Sequence, residues 1–176
     1  MPKKQDTEIQ FARLLGNSPL QIELILMTTA SYTPRHTEPG YLRRFYRRLE
    51  DVRDDFFDAL IVTGAPVERL PFEEVAYWPE LTEILEWSQT NCFRRLGICW
   101  GAQALLYHFH NVPKYDCGKK LFGVYPHRLN DIKGRLMRGF TNSFPMPVSR
   151  YTENRRSDLE PAGIEVLAES DICGIG

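Results

Sequence analysis

The spacing of hydrophobic and polar residues changes several times along the chain, and each change predicts a different element. Residues 20–27 begin with alternating apolar and polar positions and then become continuously apolar, which predicts a strand that enters the interior of a sheet. Residues 41–55 have apolar residues three or four positions apart, which predicts an amphipathic helix. The apolar positions of that helix are Leu42, Phe45, Leu49 and Val52.

The alternation of strands and helices continues to residue 110. Residues 57–66 form a short apolar run that ends in glycine and proline, which predicts a buried parallel strand followed by a loop. Residues 81–87 and 102–110 have helical spacing, and residues 95–100 predict a further strand between them. This order predicts an α/β fold with a mostly parallel sheet and helices on both of its faces.

The pattern is weaker after residue 112. Residues 120–125 and 165–168 are candidate strands, and residues 135–151, with a glycine and two prolines, predict a loop with a short strand. Because the chain has no internal repeat and no linker-like tract, we interpret residues 1–176 as a single domain.

The composition is that of a folded protein with little overall charge. Of 176 residues, 43% are hydrophobic and 26% are charged, which excludes a disordered chain. A formal net charge of −1 gives no overall attraction to nucleic acid or to an anionic membrane, so small molecules are the expected partners. The polar start and the absence of an apolar run of about 18 residues predict a cytoplasmic protein without a signal peptide or membrane span.

The cysteines do not have the spacing of a metal site. No CxxC pair or zinc-type histidine spacing is present, so we expect separate thiols and no metal centre. The four cysteines are Cys92, Cys99, Cys117 and Cys173.

Only Cys99 has the sequence context of a nucleophile. The run Gly97-Ile98-Cys99-Trp100-Gly101 has the form G-x-nucleophile-x-G, between a predicted strand and a predicted helix. Such a turn holds its nucleophile in a strained conformation above the sheet, and its glycines allow close backbone approach. The thiol would lie beside a helix N-terminus, whose amides favour an anion, and the backbone N–H of Trp100 would donate to a developing oxyanion.

The alternative for Cys99 is that it is one more small buried apolar residue, as most cysteines are. The strand, turn and helix context favours the nucleophile. The Gly64-Ala65-Pro66 loop, which follows the neighbouring predicted strand, favours it as well.

Five motifs together resemble one protein family. In chain order they are GNSPLQ at 16–21, LIVTGAP at 60–66, VAYW at 75–78, ICWGAQ at 98–103 and Ser149-Arg150. In order and spacing they resemble the homoserine O-acyltransferases of methionine biosynthesis, the homoserine transsuccinylase family. The resemblance implies a class I glutamine-amidotransferase-like, flavodoxin-like α/β fold, here a partial acyltransferase domain without counterparts of the family's first strand and last segments.

The resemblance also implies a reaction. Cys99 would attack the thioester of acetyl-coenzyme A, and the hydroxyl of L-homoserine would resolve the acyl-enzyme to O-acetyl-L-homoserine. Lys120 and Ser149 match the family's substrate-contacting lysine and serine; a solvated lysine and a turn hydroxyl are the alternatives. No cofactor is implied, because acetyl-coenzyme A is a substrate, and a homo-oligomer stays open.

Glu68 lies at the position that the family associates with the choice of acyl donor, where glycine goes with succinyl and glutamate with acetyl. Its carboxylate would repel the free carboxylate of a succinyl group by about 4 kcal/mol at ~4 Å and an effective dielectric of ~20. We therefore expect acetyl to be preferred over succinyl. The alternative is an exposed loop glutamate.

The family's catalytic histidine, and the glutamate that orients it, lie in segments that follow the matched region. His108 and His110 lie two to three helical turns from Cys99, and His36 and His127 are expected at the surface. We therefore expect the 176-residue chain alone to be a weak acyltransferase or none. The half-reaction at Cys99 is the step that it could retain.

Three alternatives remain open. A glutamine-amidotransferase-type hydrolase has a similar Cys99-x-Gly101-x-Gln103 arrangement, although the motifs at 17–21 and 75–78 argue against it. An inactive remnant or binding module would keep the fold without catalysis. Within acyl transfer, a succinyl donor or a serine acceptor remains, since one methylene in a pocket is worth only ~1–3 kcal/mol.

Overall fold

The computed structural model describes residues 4–31, 39–130 and 134–176, so His36 lies outside the described residues. Helices and strands alternate up to residue 110, and strands predominate after it. The helices are α1 (Lys4–Gly16), α2 (Pro39–Phe45), α3 (Leu49–Val52), α4 (Trp78–Asn91), α5 (Trp100–His110) and α6 (Arg156–Leu159), with single 3-10 turns at Phe72–Glu74 and Arg135–Met137. The strands are β1 (Leu26–Met27), β2 (Tyr46–Arg47), β3 (Phe57–Val62), β4 (Cys92–Gly97), β5 (Tyr115–Leu129), β6 (Ser143–Glu153), β7 (Ala168–Ser170) and β8 (Gly174–Ile175).

These elements fall into two compact units. The first comprises Met1–Ile61 and Phe72–Leu96, and the second comprises Val62–Pro71 and Gly97–Gly176. Within the described residues, no helix has both the length and the apolar character needed to cross a membrane.

The core of the first unit is organised around α4. Its buried residues recur at helical spacing, and a proline occupies its first turn, where a missing N–H costs little. Phe72 packs on Trp78 with ring centroids 5.1 Å apart. The predicted helix over residues 81–87 is therefore confirmed and is longer at both ends.

The first turn of α4 also binds a distant loop. The Glu80 carboxylate accepts hydrogen bonds from the backbone amides of Ala30 (2.6 Å) and Ser31 (2.8 Å) and from the Ser31 hydroxyl (2.6 Å). Burial, the largest single influence, raises the pKa of Glu80. These hydrogen bonds and the positive charge of Arg48 together outweigh it and leave the pKa below its ordinary value of 4.5.

The continuous helix predicted over residues 41–55 is wrong. Helix α2 ends at Phe45, and the next two residues form β2, which pairs in parallel with β1. That pairing supplies the backbone groups of β1 with hydrogen-bond partners, and it overrides the helical spacing of the side chains. Leu49 and Val52 are buried as expected, whereas Phe45 is 48% exposed.

The strand predicted over residues 20–27 is also much shorter than expected, since only Leu26 and Met27 pair. Helix α1 is an element that the sequence analysis did not predict. None of its residues is buried. The apolar periodicity that predicts a helix is therefore weak in this segment.

The sheet of the second unit is antiparallel. The strand order is β6-β5-β7-β8, and β5 pairs with β6 over most of their length. The α/β class is confirmed. Within residues 4–31, 39–130 and 134–176, however, the strands pair in three separate sheets rather than in one mostly parallel sheet, and the largest of these is antiparallel. Strand β6 lies at the edge of that sheet, which explains how an 11-residue strand tolerates Pro145 and Pro147.

Two other predicted strands, 95–100 and 57–66, are confirmed as β4 and β3, each with different bounds. Strand β4 begins earlier and ends at Gly97, and β3 ends at Val62. The expected burial of β3 is wrong, because Val62 is its only buried residue. The helix predicted over 102–110 is confirmed as α5, which ends at His110. The capping residue Asn111 adopts the left-handed conformation that asparagine tolerates.

Candidate active site

Cys99 lies in a tight turn between β4 and α5, in the strand-turn-helix context that the sequence predicts. Its φ of 58° and ψ of −125° are strained for a residue with a side chain. The Ile98 N–H donates to the Val62 carbonyl (2.9 Å), and the Gly101 N–H donates to the Ile98 carbonyl (3.0 Å). These bonds hold the turn, and the thiol is exposed to solvent.

Three glycines make room for this turn. A Cβ at Gly97 would lie 2.4 Å from the Ala102 Cα, and a Cβ at Gly101 would lie 2.1 Å from the Val62 carbonyl oxygen. A Cβ at Gly64 would lie 3.3 Å from the Cys99 sulfur itself. The glycines on either side of the nucleophile are therefore required by close backbone contacts, and Gly64 places the next loop against the thiol.

Helix α5 begins directly after the nucleophile. The amides of Gly101, Ala102 and Gln103 donate to the carbonyls of Ile98 and Cys99. Trp100 is the first residue of the helix and supplies its first backbone amide. The residue is 2% exposed, and this burial anchors the start of α5. The assignment of the Trp100 N–H to an oxyanion hole stays a prediction.

The loop that starts at Gly64 also carries Glu68. This residue is half-buried, and its backbone carbonyl accepts a hydrogen bond from the Lys114 ammonium (2.5 Å). The same ammonium donates to the Leu70 carbonyl. One loop therefore connects the thiol to the residue expected to select the acyl donor.

Lys120 and Ser149 lie on the β5–β6 ribbon. Ser149 pairs with Phe122, and both of these side chains are exposed. The Lys120 ammonium lies 5.4 Å from the ring centroid of Phe122 and 5.6 Å from that of Tyr151. Since residues two apart in a strand share a face, the exposed face of the ribbon carries Lys120, Ser149 and Tyr151 together.

Gln103 connects the nucleophile helix to this ribbon, a role that its place in a short motif did not predict. Its side chain is 9% exposed, and its Oε1 accepts a hydrogen bond from the Thr152 hydroxyl at 3.0 Å. A buried amide needs a polar partner, so a polar residue at 103, in the otherwise apolar first two turns of the helix, was the available indication.

The surface position expected for His127 is wrong. The ring is fully buried, with Nδ1 3.1 Å from the Tyr125 carbonyl and Nε2 3.6 Å from the Cys173 sulfur. Because a carbonyl can only accept, the Nδ1–H donates to it, and Nε2 faces the Cys173 sulfur. The alternation of exposed and buried residues along β5 places this side chain on the inner face.

The structure brings together some of the expected site residues and not others. Cys99 contacts the start of the Glu68 loop, and Lys120 and Ser149 share one face of the ribbon. Among the described residues, Cys99 forms no hydrogen bond with Glu68, Lys120, Ser149 or any histidine. His108 and His110 lie roughly 13–16 Å along α5 from Cys99 at 1.5 Å per residue.

All four cysteines are free thiols, as predicted. Burial, as the largest influence, raises the pKa of Cys92 and of Cys117, which keeps both thiols protonated at neutral pH. In the part of the chain that the structure describes, no group of three or more His, Cys, Asp or Glu side chains could hold a metal ion.

Comparison with known proteins identifies relatives over the whole chain. The homoserine O-succinyltransferase family profile matches residues 1–176. Homoserine O-acetyltransferases of Thermotoga neapolitana and Brevibacillus brevis are 53% and 51% identical over 176 residues. The match covers 99% of this chain but 58% of each relative, so the chain spans less than two thirds of the length of the curated relatives it matches.

A solved structure supports the fold. A Thermoplasma acidophilum protein described as a GMP synthase component superposes with a TM-score of 0.55, over 88% of this chain and 77% of that chain. The two are 18% identical, so the similarity shows the fold alone. It supports the α/β fold class that the sequence predicts.

Proposed function

Since the chain belongs to the homoserine O-succinyltransferase family of acyltransferases, we propose that it carries the nucleophilic centre of a homoserine O-acetyltransferase. The single observation that supports this most is Cys99, an exposed thiol on a strained turn enclosed by Gly64, Gly97 and Gly101. A cysteine with a purely structural role would be buried and would not need a strained backbone.

The reaction transfers one acetyl group in two steps. The Cys99 thiolate attacks the carbonyl carbon of acetyl-coenzyme A, and the Trp100 N–H donates to the oxyanion that forms. The bond from that carbon to the coenzyme A sulfur breaks, which leaves a thioester on Cys99. The hydroxyl oxygen of L-homoserine then attacks the carbonyl carbon of this thioester and gives its proton to water. The bond from that carbon to the Cys99 sulfur breaks, and the Cys99 thiolate leaves.

Lys120 and Ser149 are suited to the amino-acid acceptor. They lie on one exposed face, where an ammonium can pair with the acceptor carboxylate and a hydroxyl can bond its polar groups. The Lys120 ammonium is placed between the Phe122 and Tyr151 rings, which limits its position before substrate binds.

Glu68 supports acetyl as the donor. Its loop begins against the Cys99 thiol, and this start of the loop supports a place for the Glu68 carboxylate near the acyl group. The free carboxylate of a succinyl group would meet like charge there. The names of the relatives agree with this choice, while the family name refers to the succinyl reaction.

Product analysis tests the proposal directly. The chain is incubated with acetyl-coenzyme A or succinyl-coenzyme A, the excess donor is removed, and L-homoserine, L-serine or L-glutamine is added. Acylation from acetyl-coenzyme A, with transfer to L-homoserine, supports the full proposal; acylation without transfer supports the Cys99 step alone. Ammonia release from glutamine without acylation would instead indicate an amidotransferase-type hydrolase.

A matched pair of variants tests the donor assignment. Glu68→Gly is expected to raise succinylation of Cys99 relative to acetylation, and Glu68→Gln is expected to do so in part, because it removes only the charge. An unchanged ratio in both variants would contradict the role of Glu68.

A further inference from the structure

We propose that Lys114 is a positioning residue that fixes the Glu68 loop beside Cys99 and thereby sets the choice of acyl donor. This inference rests on the proposed function for the identity of the donors. The position of the loop relative to Lys114 does not depend on it.

The first step is that loop position determines where the Glu68 carboxylate lies. Gly64 packs against the Cys99 side chain, so the start of the loop is fixed by the thiol itself. Between that point and Glu68 the chain has several rotatable bonds. A second attachment is needed near Glu68 to hold its carboxylate in one place.

Lys114 supplies this attachment. Its ammonium donates to the backbone carbonyls of both Glu68 and Leu70, which lie on either side of Arg69. A charged donor shared by two carbonyls restrains the main chain of all three residues. A turn bond from the Leu70 N–H to the Val67 carbonyl (3.0 Å) closes the same segment.

Lys114 is itself held by rigid neighbours. Two residues earlier, Val112 is 1% exposed in a cluster with Leu159 and Val166. One residue earlier, the Pro113 carbonyl accepts a hydrogen bond from the Asn154 side chain at 2.8 Å. The backbone of Lys114 is therefore held by the core, and its ammonium holds the loop in place.

A second, weaker contact also holds this loop to the β5–β6 ribbon. The Arg69 guanidinium forms an ion pair with Asp116 at 3.2 Å and lies 5.4 Å from the Tyr151 ring centroid. Both charged side chains are largely exposed, so this pair contributes little by itself. Lys114 is the main restraint, because it forms two hydrogen bonds to the loop and directly follows the buried Val112 and the hydrogen-bonded Pro113.

The first readout is local and independent of catalysis. Lys114→Met keeps an unbranched side chain that is one atom shorter and removes the donors, and Lys114→Arg keeps a cation with several donors. In Lys114→Met, we expect the Leu70 amide to exchange with solvent deuterium at least tenfold faster, while the Ala102 amide of α5 exchanges at its original rate. Lys119→Met, at an exposed lysine of β5, is the control and should leave both amides unchanged.

The second readout is the ratio of acetylated to succinylated Cys99 after exposure to equal amounts of the two coenzyme A thioesters. We expect this ratio to fall at least fivefold in Lys114→Met, to recover in Lys114→Arg, and to stay constant in Lys119→Met. A loss of stability alone would lower both acylations without changing the ratio.

The outcomes separate the two proposals. An unchanged Leu70 exchange rate in Lys114→Met would overturn the positioning role, whatever the chemistry. Faster exchange with an unchanged ratio would overturn the role in donor choice. Failure of the unsubstituted chain to accept either acyl group would reject the proposed function and the donor role with it, and the exchange result would still decide whether Lys114 positions the loop.

Discussion

Substitution of Gly101 by alanine tests whether the nucleophile turn is as tightly packed as the structure describes. The added Cβ would lie 2.1 Å from the Val62 carbonyl oxygen and 2.7 Å from its carbonyl carbon, where contacts under 3.0 Å do not occur. The obstacle is backbone rather than a flexible side chain, so the Val62 carbonyl and the start of α5 must separate by about 0.9 Å or more.

The cost of that separation follows from known overpacking effects. Adding a methyl group to a packed site typically costs about 1–3 kcal/mol, and a fixed backbone obstacle favours the upper end. At a urea slope of about 2 kcal/mol per molar, a loss of about 3 kcal/mol lowers the unfolding midpoint by about 1.5 M. Gly16→Ala is the control, because open space surrounds that helical position, so the unfolding midpoint of this variant should not fall.

Urea unfolding followed by circular dichroism measures both variants against the unsubstituted chain. A Gly101→Ala midpoint within about 0.3 M of the original, at the same slope, corresponds to under about 0.6 kcal/mol. That result would refute the close approach of α5 to the Val62 carbonyl on which the active-site description depends.

Three further predictions concern the site and its supports. Gly64→Ala places a Cβ 3.3 Å from the Cys99 sulfur and should slow alkylation of that thiol by iodoacetamide roughly threefold, about 0.7 kcal/mol in activation free energy; an unchanged rate would argue against the contact. Thr152→Val removes the donor to the buried Gln103 Oε1 and should cost about 1–3 kcal/mol in urea unfolding, whereas unchanged stability would mean that the bond contributes nothing. The lowered pKa of Glu80 stabilises the folded chain above pH 4.5, and this contribution is lost as the pH falls through the folded-state value. Glu80→Gln should therefore destabilise the chain at pH 7 and should approach the original stability in acid; an equal difference at both pH values would contradict the account.

The sequence predicted an element well where the spacing of its apolar residues matches the pattern of residues that are buried in the structure. Helix α4 is the clearest case, because its buried stripe is visible as spacing alone. The turn at Cys99 was predictable for a different reason. Its glycines are required locally by backbone contacts, so the motif carries the geometry within a few residues.

The failures occur where distant pairing decides the structure. Tyr46 and Arg47 interrupt a helical pattern because β1 needs a parallel partner, and no local spacing encodes that need. His127 was expected at the surface because a single histidine gives no periodicity of its own. Its burial follows from the register of a 15-residue strand whose length the sequence did not predict.

The candidate site shows the same division. Cys99 and its turn could be located from the motif, and Lys120, Ser149 and Glu68 from resemblance to a family. The link from Gln103 to Thr152 could not, because it joins residues that are 49 positions apart through one hydrogen bond. The hydrogen bond from Lys114 to the Glu68 carbonyl joins residues 46 positions apart and could not be predicted for the same reason.

The most direct test of the central claim is the location of the acyl group after reaction with acetyl-coenzyme A. The chain is mixed with acetyl-coenzyme A and quenched in acid, its intact mass is measured by mass spectrometry, and it is then digested for peptide mapping. A Cys99→Ala variant and a Cys117→Ala control are treated in the same way. The account predicts one added acetyl group, located on Cys99, absent from Cys99→Ala and retained in Cys117→Ala. No adduct, or an adduct that persists in Cys99→Ala, would contradict the claim that Cys99 is the acyl-accepting nucleophile.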